Sequence, residues 1–109
     1  MRIAALDLGS NSFHLLIVET HPDGSFSPIV REKEMLRLGD VVAREHVLSD
    51  DSVKAAIEVV RRFRTIAETH GVDELVAYGT AALREAENGP EVTDRIEPVS
   101  YTHLTLPTN

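Results

Sequence analysis

Asp7-Leu8-Gly9-Ser10-Asn11-Ser12 lies between two apolar runs, Arg2–Leu6 and Phe13–Val18, and its residue types suit the handling of metal-bound phosphate. A carboxylate at the end of a strand can hold a divalent cation or its waters. A glycine followed by small hydroxyl and amide residues lets backbone N–H groups approach an anion. The plainer reading is a polar hairpin turn, with Gly9 supplying backbone freedom and Ser10 or Asn11 bonding locally. Other polar groups have simple structural explanations. Asp50 and Asp51 fit the first turn of a helix, where carboxylates complement the dipole. Arg61, Arg62 and Arg64 fit the exposed face of the same helix, and His14, between Phe13 and Leu15, reads as packed or hydrogen-bonded. The remaining four histidines show no ligand spacing.

The elements that position the loop can be read outward from it. Ile3, Ala4, Ala5 and Leu6 make Arg2–Asp7 a strand buried on both faces and central in its sheet. Phe13–Thr20 is a second strand, and His21-Pro22-Asp23-Gly24 is a hairpin turn. Ser25–Lys33 returns as a third, with Pro28 marking an edge position or a bulge because proline has no N–H for a ladder. Glu34–Leu48 has mixed periodicity and reads as loop with at most a short strand. Ser49 caps a helix of about five turns carrying Val53, Ala56, Ile57, Val60, Phe63 and Ala67 on one face and running to His70, with Gly71 at C′. Glu74–Tyr78 is a short strand, and Thr80 can cap a helix through Ala86. Asn88-Gly89-Pro90 interrupts that helix, and Pro90 opens another to about Ile96.

The order β-β-β-α-β-α is that of a ribonuclease-H-like α/β layer fold. A right-handed crossover sets the fourth strand parallel to the first. Ligands gather at the carboxyl ends of such strands, where Asp7 and Gly79-Thr80 both fall.

Length and charge limit the possibilities. With 109 residues the chain is one domain at most, short of the two-domain clefts that close around phosphate substrates, so a partial protein is expected. No apolar stretch approaches the roughly 18 residues that span a bilayer, and Asp7 interrupts any signal-peptide pattern, so Met1 is read as the mature start. Zero cysteines remove disulfides, thiolate metal sites and thiol nucleophiles, in keeping with a cytoplasmic location. The net charge of −7 argues against a general nucleic-acid binder and requires local cations or metal around any polyanion.

Three segments in order carry a family resemblance: Ala4-Ala5-Leu6-Asp7-Leu8-Gly9-Ser10-Asn11-Ser12-Phe13-His14-Leu15-Leu16, then Arg31–Gly39, then Gly79-Thr80-Ala81-Ala82-Leu83-Arg84-Glu85-Ala86-Glu87-Asn88-Gly89. Over residues 1–96 the chain resembles the start of the exopolyphosphatase/guanosine pentaphosphate phosphatase (Ppx/GppA) family, within the actin, sugar-kinase and heat-shock-chaperone superfamily. The resemblance implies magnesium-dependent release of a terminal phosphate from inorganic polyphosphate, or of the 5′ phosphate of guanosine pentaphosphate. It implies Asp7 as the metal residue and Gly9, Ser10, Asn11 and Ser12 as the first phosphate loop, with Arg84 binding a phosphate further along the chain. An arginine fork fits phosphate bidentately. A membrane partner is not expected, and the full-length protein has room for a homodimer.

The same resemblance marks what these residues lack. The Ser-Gly-x-Glu-Glu-Ala segment carrying the general-base glutamate and the Asp-x-Gly-Gly-Gly-Ser second phosphate loop are absent, so no catalytic residue is assigned and the chain alone is expected to be inactive. Residues 97–109 match nothing in the family and look like translated adapter read-through from a fragmentary gene. They are expected to be a disordered tail. Two other readings share the loop: a fragment of an ATP-dependent kinase, and a noncatalytic phosphate-binding, alarmone-binding or interaction module. The Thr80–Gly89 segment disfavours the kinase.

Overall fold

Side chains alternate between the two faces of a strand, and that alternation divides the first three strands between a core and an open side. The computed structural model describes residues 1–79, 86–100 and 104–105. In it β1 (Arg2–Leu8), β2 (Ser12–Thr20) and β3 (Phe26–Met35) form an antiparallel meander. Two helices follow, α1 (Leu38–Glu45) and α2 (Asp50–Thr69), and lead into β4 (Glu74–Gly79), which lies parallel to β1 as the sequence leads one to expect. With α3 (Gly89–Ser100) and β5 (Leu104–Thr105), parallel to β4, the result is a mixed sheet of order β3-β2-β1-β4-β5.

One face of the sheet is sealed. Ala4, Leu6 and Leu8 of β1, Phe13, Leu15 and Ile17 of β2 and Ala77 of β4 form one buried cluster with Val53, Ala56, Val60, Phe63 and Ala67 of α2 and Val92 of α3. The opposite face is open. Ile3 and Ala5 are only half-buried, while Val76 and Tyr78 stay 41% and 39% exposed, so the expectation that β1 is buried on both sides is corrected. The apolar run Ile3–Leu6 reads the same whether one or both of its faces are covered.

Local chemistry explains most element boundaries. Ser49 caps α2 by accepting a hydrogen bond from the Ser52 N–H at 3.1 Å, and the helix stops at His70 before Gly71, whose φ of +61° suits a residue without Cβ. Val59 joins the expected stripe as a sixth fully buried residue of α2, and Ile57 is only partly buried against it. Pro28 lies on the edge strand and also at a bulge, where the register shifts between Ile17 and Val18. In the hairpin turn, Asp23 accepts from the Ser25 N–H at 2.9 Å and its hydroxyl at 2.6 Å, and these bonds hold its carboxyl below the usual carboxylate range.

Three expectations are corrected. Residues 38–45, read as loop, form α1, which buries Leu38 and Val42 one turn apart. The helix begins at Arg37 in the left-handed conformation with no side-chain cap, so the usual start signal is missing. β3 runs on to Met35 past Lys33. The last helix runs to Ser100 instead of ending near Ile96, and Leu104–Thr105 pair with Ala77 and Tyr78. Residues 80–85, expected to be helical, lie outside the described residues, and Ala86 belongs to a turn.

Candidate functional site

The β1–β2 connection is tied down by its carbonyls. The Asn11 carbonyl accepts from the N–H groups of Leu36 at 2.7 Å and Arg37 at 2.8 Å, and the Ser10 carbonyl accepts from the Gly39 N–H at 2.6 Å. Arg37 reaches this geometry at a φ of 57°, a conformation that costs a non-glycine residue about 1–2 kcal/mol. The segment from Leu36 to Gly39 therefore acts as a brace, and its approach depends on glycine. A Cβ on Gly39 would lie 3.0 Å from the Asn11 Oδ1 and 3.2 Å from the Ser10 Cβ. Gly9 is more constrained still, because a Cβ there would fall 2.6 Å from the Ser12 carbonyl oxygen, a backbone atom that cannot swing away.

With the carbonyls occupied, the N–H groups of Gly9, Ser10 and Asn11 donate to no partner among the described residues. Consecutive free amides on a fixed loop are what an anion needs. Among the sequence candidates, Gly9, Ser10, Asn11 and Ser12 thus fall in one braced turn at the end of β1, with the Asn11 side chain exposed. Arg84 and Thr80 lie outside the described residues.

Asp7 stands one residue pair before the turn. It is opposite His14 on β2 and Tyr78 on β4, on the open face of the sheet. Its Oδ1 is buried without a hydrogen-bond partner among the described residues. An orphaned carboxylate oxygen is a costly arrangement that a bound cation would relieve. Burial and the negative charge of Asp7 together push the Tyr78 hydroxyl above its ordinary value. A groove of about 410 Å³ opens here, bordered by Asp7, His14, Tyr78, Arg31 and Lys33. His14 is exposed, and its imidazole makes no hydrogen bond among the described residues, which corrects the expectation that it is packed or bonded. Arg31 and Lys33 lie in the Arg31–Gly39 segment that carries the resemblance, but no site role was expected of them. The signal for them is the alternation Arg31-Glu32-Lys33-Glu34, which on a strand separates cations from carboxylates.

The exposed Arg61 and Arg62 of α2 pair with Glu58 and Glu34, and the half-buried Arg64 pairs with Glu68. Asn88 has a larger part than its sequence context suggests. Its Oδ1 accepts from the Leu48 N–H and its Nδ2 donates to the Leu48 carbonyl, both at 2.9 Å, while the Glu87 N–H donates to the His46 carbonyl. The end of the Gly79–Gly89 segment is thereby fixed to the α1–α2 connection.

Comparison with known proteins bears on the same residues. A sequence profile described as the Ppx/GppA phosphatase family matches residues 17–102. Exopolyphosphatase 1 of Mycobacterium tuberculosis is 35% identical over 104 residues, which cover 95% of this chain and 30% of that protein. The guanosine-5'-triphosphate,3'-diphosphate pyrophosphatase of Vibrio cholerae is 35% identical over 88 residues, 81% of this chain and 18% of that protein. The crystal structure of an Aquifex aeolicus Ppx/GppA protein superposes with a TM-score of 0.89 at 27% identity, covering 98% of this chain and 35% of that one. The chain thus spans about a third or less of the length of these relatives, and its fold is the actin-like ATPase fold of the matching structures.

Proposed function

Since the chain belongs to the Ppx/GppA phosphatase family, we propose that it is part of a phosphohydrolase that releases terminal phosphate from inorganic polyphosphate or the 5′ phosphate of guanosine pentaphosphate. Relatives named for each of these activities match it. The observation that carries the proposal is the braced turn, with the Ser10 and Asn11 carbonyls bonded and the amides of Gly9, Ser10 and Asn11 without a partner among the described residues.

Phosphoryl transfer asks the protein mainly for positioning and for neutralisation of charge on the equatorial oxygens. The loop amides supply fixed donors to one phosphate, and the bare Gly9 lets the turn close against the Ser12 carbonyl, which holds those amides in place. Asn11 adds an exposed amide side chain beside them, and Arg84 serves a phosphate further along. Asp7 suits Mg²⁺, which characteristically takes one or two carboxylates together with substrate phosphates. The buried, unpartnered Oδ1 is consistent with that role. When bound, the ion would neutralise phosphate charge.

The Ser-Gly-x-Glu-Glu-Ala segment is absent from the 109 residues, so the chain by itself should bind phosphate without turning it over. We place its work in the cytoplasm, on a soluble anion. No described helix is long and apolar enough to cross a membrane, and the net charge of −7 disfavours nucleic acid. The test is calorimetric titration of the chain with orthophosphate and tripolyphosphate in magnesium, alongside Gly9→Ala and a phosphate-release assay. Binding that is lost in Gly9→Ala, with no phosphate released, is the expected result. Equal binding in the variant would remove the loop from the site, and release by the chain alone would refute its inactivity.

A further inference from the structure

The groove on the open face is a second part of the anion site, and strand alternation accounts for it. Across the sheet, Lys33, His14, Asp7 and Tyr78 form one row of directly opposed residues, and Arg31, Leu16, Ala5 and Val76 form the next. Arg31 and Lys33 are two residues apart on β3 and so project from the same face. Glu32 and Glu34 alternate with them. Glu34 is turned to the helix side, where it pairs with Arg62 of α2 at 3.5 Å, and Val30 packs toward the core on that side. The strand period thus brings both cations to the groove and takes Glu34 to the helix side, while Glu32, opposite Leu15, also lines the groove between them.

Arg31 and Lys33 also differ from most arginines of this acidic chain. Arg2, Arg37, Arg61, Arg62 and Arg64 each pair with a carboxylate, whereas Arg31 and Lys33 have no ion-pair partner among the described residues. Two unpaired cations border a groove of about 410 Å³ that begins at Asp7, beside the free loop amides. With strands about 4.8 Å apart, Lys33 lies about 10 Å across the sheet from Asp7, too far to act on the phosphate held by the loop amides but within reach of the rest of a chain.

We infer that Arg31 and Lys33 form a subsite for the continuing part of a linear phosphoanhydride chain whose end is held by the Gly9–Asn11 loop. The inference rests on the loop reading above and adds to it the residues that separate a chain from a single phosphate. The subsite reads phosphate charge and no base, so it serves an inorganic chain and the phosphates of a nucleotide alike.

The experiment compares the intact 109-residue chain with Arg31→Gln/Lys33→Gln, and with a control that removes the same charge elsewhere, Lys54→Gln/Arg61→Gln on α2. Each is titrated in magnesium with orthophosphate, tripolyphosphate and GTP. Both cations of the groove are exposed and without an ion-pair partner among the described residues, so the substitutions should leave the fold intact, which amide spectra verify. The expected result is a loss of about tenfold or more in affinity for tripolyphosphate and GTP, the effect of losing one or two charge-assisted contacts, with orthophosphate unchanged. The control should lose much less. A loss in the groove variant no greater than in the control, or a loss confined to GTP, would overturn the subsite and leave the loop reading standing. Failure of the unsubstituted chain to bind orthophosphate at all would overturn the loop reading and the subsite with it.

Discussion

The two faces of this sheet are made from alternate residues of the same strands, yet they differ in almost every physical respect. On the helix side Leu6, Leu8, Phe13, Leu15 and Ile17 are at most 1% exposed and close around Phe63 and Val60 of α2. On the other side, across the same backbone, stand Asp7, His14, Arg31, Lys33 and Tyr78 around a groove. A shift of one residue in register would exchange the two sets, so the core that fixes the register also fixes which charged groups reach the groove. Stability and ligand chemistry are thus divided between faces within single strands.

The division can be broken by substitution. Phe63→Ala should cost about 3–5 kcal/mol, because it empties the best-buried part of the core, and urea unfolding will measure it. Asn88→Ala should cost roughly 1–3 kcal/mol in the same assay, since it strips both backbone groups of Leu48 of their partner. His14→Ala, on the open face, should change stability by no more than about 0.5 kcal/mol. A cost for His14→Ala near that of Phe63→Ala would show that both faces are core, and the contrast would fail.

The smallest expected effect concerns pH. The Tyr78 hydroxyl is raised above its ordinary value of 10.0, first by burial and then by the Asp7 charge. Its neutral form is therefore favoured in the folded state. The associated stability is fully present below pH 10.0 and is lost as pH rises through the folded value. Ultraviolet titration of the tyrosinate should place Tyr78 above 10.0, and Asp7→Asn should lower that midpoint without bringing it fully back, because burial remains. An unmoved midpoint in Asp7→Asn would mean that the Asp7 charge does not reach Tyr78.

Features with a local cause were legible in the sequence. Ser49 and Gly71 bounded α2 because a cap hydroxyl and a left-handed glycine act within one turn, and Pro28 announced an edge and a bulge through its missing N–H. The Asp7–Ser12 turn was legible through its residue types. What could not be read locally depends on distant partners. The brace joins Ser10 and Asn11 to Leu36, Arg37 and Gly39 through backbone atoms, which leave no side-chain pattern beyond a glycine. The first helix starts without a cap, and Asn88 clasps a residue forty positions away. The openness of one sheet face was hidden because Ile3 and Ala5 are apolar whether covered or not. The sorting of Arg31 and Lys33 from Glu34 needed only the strand's period, yet it acquires meaning only once β3 is placed beside β2.

The central claim is that the braced turn at the end of β1 offers its free amides to phosphate. The most direct measurement is an amide-resolved NMR titration of the intact chain with orthophosphate in magnesium. The account predicts that the largest shifts fall on the N–H groups of Gly9, Ser10 and Asn11, while those of Leu36, Arg37 and Gly39, already bonded to the loop, move less. Saturating phosphate that leaves the Gly9–Asn11 amides unmoved would contradict it.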